Sequence, residues 1–234
     1  MCGRFVFCST RDTVAAAFGV AGSAEVEPHY NIAPTQHIPV VRIDAGGQRR
    51  LAMLQWGFVP AWAKARTARS PLINARAETV AGKPAFRAAF RQRRCLVLAN
   101  GWYEWQVTPG GKQPWYIRRD DGEPFAFAGL WERWPGHPGE APLESCLIVT
   151  TAASGEFSAL HERMPLVLSP GAFGPWLDAQ VTDRARIAPL LGGELAAAAV
   201  AGLRAVRVSR RVNDVRNDCP GLTEEVPPAV VRGP

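Results

Sequence analysis

The stretch CLVLANGWYEWQV at residues 95–107 sets the fold, because two short apolar runs rich in β-formers meet at a single glycine. Together with the residues up to Trp134, it predicts four strands in quick succession, at 95–99, 101–107, 114–119 and 124–134. Pro109-Gly110-Gly111 and Asp120-Asp121-Gly122 supply the turn residues between them. Strands joined by such short turns favour antiparallel pairing.

The rest of the chain adds further short elements on both sides of this stretch. Helices are predicted over 11–18, 84–93, 154–160, 175–178 and 183–200, and strands over 38–43, 49–56, 145–151, 166–168 and 203–212. Residues 20–37 are predicted to be loop, and 71–80 to hold a loop-to-helix turn. We therefore predict an α+β fold in a single domain (1–219), with a mostly antiparallel, barrel-like β core, flanking short helices and a loose tail over 220–234.

Composition places the chain among ordinary globular proteins. Its 234 residues are 47% hydrophobic and 21% charged, enough to bury a substantial core. The longest apolar runs fall short of the 18 residues that span a bilayer, and the N-terminus lacks a secretory signal pattern. We expect a cytoplasmic monomer with no membrane partner, associated with the nucleoid when it binds DNA.

Cysteine and histidine spacings argue against a metal site or a disulfide framework. The five cysteines are scattered, at Cys2, Cys8, Cys95, Cys146 and Cys219. They form no C-x-x-C pair, and the four histidines show no H-x-x-x-H spacing. No metal and no cofactor are expected.

Positive charge is concentrated in two stretches. The net charge is +6, and nine Lys or Arg lie between Lys64 and Arg94 against the single acid Glu78. A second basic stretch runs from Arg204 to Arg216. A solvated face is one interpretation, but tryptophans close to both stretches favour a polyanionic partner.

The chain begins Met1-Cys2-Gly3-Arg4, and removal of Met1 would leave Cys2 as a 1,2-aminothiol. An unperturbed α-amine has a pKa of about 7.7–8.0, so roughly a fifth of it is neutral at about pH 7.5. A neutral amine attacks aldehydes to give a Schiff base. The neighbouring thiol can then close onto the imine carbon as a thiazolidine. Taken alone, Met1-Cys2 favours the simpler interpretation, a small residue at a frayed start, and only the motifs further along the chain change this.

Glu104 lies between aromatic residues on a predicted strand. Alternation places Trp102 and Glu104 on one face and Tyr103 and Trp105 on the other. A carboxyl group beside tryptophan in an interior has a raised pKa unless it is paired, as a general acid or base requires. Glu104 could instead cap a basic neighbour.

Two further polar clusters are candidates. His161 follows a predicted helix, and Pro165 rules out the H-E-x-x-H zinc motif; the histidine is either structural or catalytic. Asn74 and Arg76 could hold a phosphate or sugar oxygen, or satisfy a loop.

Taken together and in their order along the chain, these motifs resemble those of the SOS-response-associated peptidase (SRAP) family of abasic-site processing proteins. The motifs that carry the resemblance span nearly the whole chain: MCGR (1–4), NIAPT (31–35), WGFVP (56–60), NARAET (74–79), RCL (94–96), GWYEW (101–105), FAGLW (127–131), TTA (150–152) and HERMP (161–165). The resemblance implies a compact α+β domain with a barrel-like core. It also implies a thiazolidine between Cys2 and the ring-opened aldehyde of an abasic site in single-stranded DNA.

The resemblance further implies roles for individual residues. Cys2 would be the nucleophile, Asn74 would bind the opened sugar, and Glu104 and His161 would transfer protons. Met1 would be removed either by the chain itself or by an aminopeptidase. The candidate DNA-binding residues are Arg4, Asn31, Pro34, Trp56, Trp62, Arg76, Arg87, Trp105 and Arg163.

Two other classes of function remain open from the sequence. An N-terminal-nucleophile hydrolase would also start at Cys2, but it would not explain basic clusters beside tryptophans. A non-covalent single-stranded DNA-binding module would bind DNA without a covalent product. The predicted partner is single-stranded DNA that contains abasic sites.

Overall fold

The computed structural model describes residues 2–21, 26–66 and 71–227. The strands are β1 Phe5–Phe7, β2 His29–Ile32, β3 His37–Ile43, β4 Arg49–Trp56, β5 Asn74–Arg76, β6 Arg94–Ala99, β7 Gly101–Thr108, β8 Gly111–Arg119, β9 Phe125–Trp134, β10 Leu143–Ala152, β11 Arg163–Pro165, β12 Val167–Leu168 and β13 Leu203–Arg207. The helices are α1 Arg11–Phe18, α2 Ala77–Val80, α3 Arg87–Gln92, α4 Pro170–Leu177, α5 Arg184–Ile187 and α6 Gly193–Ala199. Short 3₁₀ turns cover Gly155–Ala159, Ala188–Leu191, Arg210–Asn213 and Pro220–Leu222.

Five strands close into a barrel in the order β4, β3, β6, β9, β10 and back to β4. Four of these pairings are antiparallel, and only β10 with β4 is parallel. The barrel is tight at Gly129, where an added Cβ would lie 2.8 Å from Val97 Cγ2 and 2.9 Å from Cys95 Sγ. The predicted α+β class with a barrel-like, mostly antiparallel core is confirmed.

A second sheet, ordered β13-β8-β7-β1-β2, carries the start of the chain. Phe5 lies opposite Trp102 in the β1–β7 pair, and the Tyr103 N–H donates to the Arg4 carbonyl at 3.0 Å. A Cβ at Gly101 would overlap the Tyr116 ring and the Ile117 carbonyl, so this close approach of β7 to β8 requires glycine. The sheet therefore holds the N-terminal segment beside β7.

Local signals predicted the local elements well. Helix α1 begins after Thr10, whose hydroxyl accepts from the Thr13 N–H, and ends at Gly19 with φ of 64°. The hairpin of β3 and β4 and the strands β6 to β9 lie where the sequence predicts them. The loop predicted over 20–37 is wrong at His29–Ile32, because β2 gains its hydrogen bonds from the distant β1.

The C-terminal third departs further from the prediction. The helix predicted over 183–200 is broken by the 3₁₀ turn Ala188–Leu191, and the strand predicted over 203–212 ends at Arg207. In the described part of the tail predicted to be loose from Pro220, Leu222 is fully buried and the Val226 N–H donates to the Arg207 carbonyl. Residues 228–234 lie outside the described residues. Across the parts of the chain that are described, the helices are too short or too polar to cross a bilayer.

Candidate active site

Cys2 is fully buried at the end of the N-terminal segment, where its side chain joins the main hydrophobic core. The Cys2 thiol faces the Arg4 backbone N–H and the Glu104 carboxyl group. Burial is the main cause that raises the pKa of the thiol, and the negative charge of Glu104 adds to it. The thiol is thus protonated at neutral pH and needs a base in order to react as a thiolate.

Asn74 holds the backbone of Cys2 by a hydrogen bond. Its Nδ2 donates to the Cys2 carbonyl at 2.8 Å. Strand β5 runs parallel to β10 with Asn74 opposite Ile148, which fixes where this side chain begins. Asn74 Oδ1 is buried and has no hydrogen-bond partner among the described residues. A buried acceptor in this state is suited to a hydroxyl or ammonium donor of a bound molecule.

Glu104 is 4% exposed, and burial raises its pKa to about 7. The predicted alternation is confirmed: Trp102 packs its edge against Phe125 and Phe127 in the main core, and Tyr103 packs with Trp105 in a separate cluster. Desolvation is therefore the dominant influence on this carboxyl group. A carboxyl group with a pKa near 7 can both accept and donate a proton at neutral pH.

His161 follows the 3₁₀ turn Gly155–Ala159, and the next strand holds its ring. The Arg163 backbone N–H donates to His161 Nδ1 at 2.9 Å, so the proton of the neutral ring resides on Nε2. Burial lowers the pKa of His161, which makes the neutral ring the main form at pH 7. The neutral ring thus presents an N–H hydrogen-bond donor at Nε2.

A cavity of about 470 Å³ opens beside Glu104 and His161. It is lined by Arg4, Glu104, Trp105, Lys112, His161 and Asn213. Sequence reasoning missed Lys112 and Asn213. Lys112 pairs with Val107 across the β7–β8 hairpin, so the predicted hairpin contained a signal for it. No sequence signal pointed to Asn213, because it follows a segment that we predicted as a strand.

Arg4 and Trp105 form one wall of the cavity. The Arg4 guanidinium lies 5.8 Å from the centre of the Trp105 ring, and Trp105 Nε1 donates to Asn213 Oδ1 at 2.7 Å. Arg4 Nη1 also donates to Asn31 Oδ1 at 2.8 Å and to the Val212 carbonyl at 3.0 Å. These bonds tie the chain start to the C-terminal turn.

Asn31, predicted to bind DNA, is buried with its side-chain hydrogen bonds filled by the chain itself. It is 2% exposed, and its Nδ2 donates to the carbonyls of Val212, Asp214 and Asn217. With its oxygen bound to Arg4, the whole side chain is used to hold the C-terminal turn. Its role is structural.

Trp56 and Trp62, both predicted to contact DNA, have opposite environments. Trp56 is fully buried in the core, with its Nε1 bonded to the Ile73 carbonyl at 3.0 Å and its ring against Phe5. It cannot stack on a base, so that prediction is wrong. Trp62 is 70% exposed and available for stacking.

The predicted cationic contacts also divide into two groups. Arg76 and Arg87 are exposed, whereas Arg163 forms an ion pair with Glu78.

Pro34, also predicted to contact DNA, is half-buried in a turn, followed by Thr35 in the left-handed region at φ of 76°. That value is strained for a β-branched residue, and a Trp56 carbonyl bond to the Thr35 N–H stabilises it.

Parts of the two basic stretches serve the fold. Arg94 is 3% exposed and donates to five backbone carbonyls, those of Phe90, Arg91, Trp176, Asp178 and Val181. Arg93 pairs with Glu132, and Arg216 pairs with Asp214. Arg69 lies outside the described residues. The cationic surface is therefore smaller than the count of residues predicts.

Within residues 2–21, 26–66 and 71–227, the side chains form no group of three or more His, Cys, Asp or Glu that suits a metal ion. The cavity beside Cys2 is built from neutral, cationic and protonatable groups. It has the composition of a site for acid–base chemistry on an anionic molecule.

The barrel and the cavity together define a single-domain α+β protein that buries the start of its own chain at its candidate active site. The chain belongs to the SOS response associated peptidase (SRAP) family, whose model matches residues 1–215. This confirms the resemblance found in the sequence motifs.

Named relatives and solved structures support the assignment. The chain is 37% identical over 228 residues to the abasic site processing protein YoqW of Bacillus subtilis, covering 96% of this chain and 99% of the relative. It is 32% identical to the abasic site processing protein YedK of Escherichia coli, covering 97% and 100%. It is 33% identical to the abasic site processing protein HMCES of Gallus gallus, covering 82% and 65%. A crystal structure of a Bacteroides thetaiotaomicron protein shares the fold, with a TM-score of 0.82 at 23% identity and coverage of 96% and 100%.

Proposed function

We propose that this chain processes abasic sites in single-stranded DNA by forming a covalent thiazolidine cross-link through Cys2 after Met1 is removed. The cross-link shields the lesion from strand cleavage. The observation that carries the proposal is the convergence of Asn74, Glu104 and His161 on the segment that begins with Cys2. The names of the relatives point to the same lesion.

The first chemical requirement is a neutral α-amine on Cys2. Hydrolysis of the Met1–Cys2 peptide bond consumes one water and releases methionine, by autoprocessing or by an aminopeptidase. Glu104, with its pKa raised to about 7, accepts a proton from the resulting α-ammonium group. The amine then attacks C1′ of the ring-opened abasic sugar.

Ring opening and dehydration need a proton donor on the sugar side. The closed sugar is a hemiacetal, and it opens when O4′ gains a proton and the C1′ hydroxyl loses one. Nε2 of His161 relays this proton, giving its own to O4′ and taking the one from the C1′ hydroxyl, because Nδ1 already accepts from the Arg163 N–H. The amine adds to the aldehyde, and loss of one water gives the Schiff base, with Glu104 returning its proton to the leaving hydroxyl.

The thiol then closes the ring. The Cys2 sulfur adds to the imine carbon, and its proton ends on the nitrogen, so the whole reaction from aldehyde and aminothiol releases one water. Because burial raises the pKa of the thiol, Glu104 must accept the thiol proton first. The product lacks the imine that would promote β-elimination, which is why the strand stays intact.

The same surfaces provide the DNA contacts in this proposal. The exposed Trp62 and the cavity wall of Trp105 and Arg4 offer stacking faces for unpaired bases. Arg76, Arg87 and Lys112 are exposed cations for phosphates. Unpaired bases are required for stacking, which is why single-stranded DNA is the preferred partner.

The decisive experiment incubates the mature protein with an oligonucleotide that carries one abasic site, without borohydride. A covalent adduct is expected for the wild type, because a thiazolidine is stable without reduction. Cys2→Ser keeps the amine but closes the ring poorly, so it should give mainly a Schiff base that needs borohydride to be trapped. An uncut N-terminal extension should abolish the reaction, as should an alkoxyamine that consumes the aldehyde. A stable adduct from Cys2→Ala without reductant would contradict the mechanism.

A further inference from the structure

Arg163 is closed off by a carboxylate that the proposed mechanism does not use. Its Nη1 and Nη2 donate to the two Glu78 carboxylate oxygens at 2.7 Å and 3.0 Å. The Arg163 side chain is 11% exposed, whereas that of Glu78 is 51% exposed. The carboxylate is the outer member of the pair, and it lies between the guanidinium and solvent.

Two of the three remaining N–H donors of Arg163 are committed or enclosed. A guanidinium has five N–H donors. Besides the two bonds to Glu78, Nη2 donates to the Thr150 carbonyl at 2.6 Å, and Nε is buried without a partner among the described residues. The guanidinium edge that presents two parallel donors towards solvent is therefore the edge that Glu78 occupies. A bidentate phosphate contact at Arg163 requires Glu78 to leave.

The surroundings of Glu78 suit a phosphodiester. Arg76 lies just before α2 and adds its positive charge to that of Arg163, and the two cations hold the pKa of Glu78 below its usual range, with the Arg163 hydrogen bond as the main cause. A cavity of about 530 Å³ runs beside Glu78 towards the turn Ala188–Leu191. Two cations thus share one carboxylate at the edge of an open groove.

We propose that Glu78 is a specificity-determining residue whose carboxylate occupies the phosphate position on Arg163, so that a DNA backbone must displace it in order to bind. This inference rests on the proposed function. Backbone contacts are the same in damaged and undamaged strands, and they supply most of the non-specific affinity. A competing carboxylate lowers that affinity for every strand, while only a strand with an aldehyde is retained covalently. Glu78 thereby limits the time spent on undamaged DNA.

If the Arg163–Glu78 pair has a purely structural role, replacing Glu78 should change DNA affinity in the opposite direction. The Arg163 backbone N–H holds His161, so the ion pair with Glu78 could serve only to keep β11 in place. Loss of Glu78 would then loosen Arg163 and His161 and weaken binding. The direction of the change in affinity separates the two roles.

The test measures binding of a labelled, undamaged single-stranded oligonucleotide to wild type and Glu78→Gln at several salt concentrations. Glu78→Gln should bind about two- to fivefold more tightly, because it no longer competes through an ion pair of ordinary surface strength. The log–log salt slope should stay close to that of the wild type, because the phosphate contact with Arg163 forms in both proteins once the carboxylate is displaced. Glu78→Ala, which removes the carboxylate without adding an amide, should change affinity in the same direction.

The chain offers a matched control. Arg42 and Glu144 form a similar two-bond pair between β3 and β10, at 3.0 Å and 2.8 Å, so Glu144→Gln removes one charge in the same way away from the cavity. The DNA affinity of Glu144→Gln should stay within twofold of that of the wild type. If Glu144→Gln gained as much affinity as Glu78→Gln, the gain would come from net charge alone, and the proposal would be overturned. Unchanged or weaker binding by both folded Glu78 variants would also overturn it. Failure of the wild type to form an adduct with abasic DNA would instead overturn the proposed function, whatever the Glu78 variants do.

Discussion

Asn74 Nδ2 donates to the carbonyl oxygen of Cys2 at 2.8 Å, which fixes the orientation of the residue whose amine and thiol are the proposed reactive groups. The bond joins β5, a three-residue strand on the edge of β10, to the first described residue of the chain. Two segments 72 positions apart are thereby held in register at the site.

Asn74→Ala should slow cross-linking by about 10- to 100-fold, because misplacement of a reacting group by about 1 Å has effects of that size. The measurement is the initial rate of adduct formation with an abasic oligonucleotide. Asn100→Ala is the control, since Asn100 bonds Cys8 and Ser9 away from the cavity, and it should reduce thermal stability rather than the rate. An Asn74→Ala rate equal to that of the wild type would remove Asn74 from the mechanism.

Glu104→Gln should cross-link more slowly at pH 6–8, because the α-ammonium of Cys2 loses its proton acceptor. In the wild type the rate should rise with pH through about 7, where Glu104 ionises. General acid–base contributions are about 10²- to 10⁴-fold, and higher pH should restore part of the loss by deprotonating the amine without assistance. A variant with the wild-type rate across this range would show that Glu104 is not the base.

The same carboxyl group should make stability depend on pH. Its pKa of about 7 in the folded state lies above the ordinary value of 4.5, so ionisation opposes folding. By linkage, ionisation of Glu104 lowers the free energy of unfolding. This loss is absent below the unfolded pKa, grows between the two pKa values and is complete above pH 7. Glu104→Gln should therefore be more stable than the wild type above pH 7 and equal to it below pH 4. Denaturant melts at both pH values measure this, and a constant difference would contradict it.

His161→Ala should slow both the formation and the reversal of the cross-link, because one proton donor serves both directions. Arg163 N–H fixes Nδ1 as an acceptor, so His161→Gln, which can still present an N–H donor, should retain more activity than His161→Ala. Single-turnover rates in each direction provide the measurement. Loss of only one direction would be inconsistent with a shared donor.

Trp62 and Trp56 should respond to substitution in different ways. Trp62→Ala should weaken binding to single-stranded DNA by about 1–3 kcal/mol without a change in melting temperature, because the ring is 70% exposed. Trp56→Ala should instead destabilise the fold by about 3–5 kcal/mol, as for other large-to-small changes in a core. Anisotropy titrations and thermal melts on both variants separate the effects. Equal loss of affinity in a fully folded Trp56→Ala would contradict the assignment of Trp56 to the core.

Sequence and structure agree where the deciding interactions are local. Helix α1 has its capping threonine and terminal glycine within two residues of its ends, and the strands β6 to β9 are joined by glycine-containing turns or a single-residue corner. The alternation around Glu104 also needed only the period of a strand. Motif order along the chain was sufficient for the family, which the match over residues 1–215 confirms.

Long-range packing selected the polar and aromatic residues that face the cavity. Asn31 and Trp56 belong to motifs as distinctive as that of Asn74, yet both are buried by strands and turns distant in sequence. Asn213 and Lys112 reach the cavity because the C-terminal turn and the β7–β8 hairpin meet there.

The ion pair of Arg163 with Glu78 spans 85 positions, and so no local pattern could show that this arginine is already occupied. The amino-acid sequence was enough to predict most of the elements and the family, and to propose Cys2 as the reactive residue. The folded chain specified which side chains surround that N-terminus, because burial and pairing depend on contacts that no short window of sequence contains.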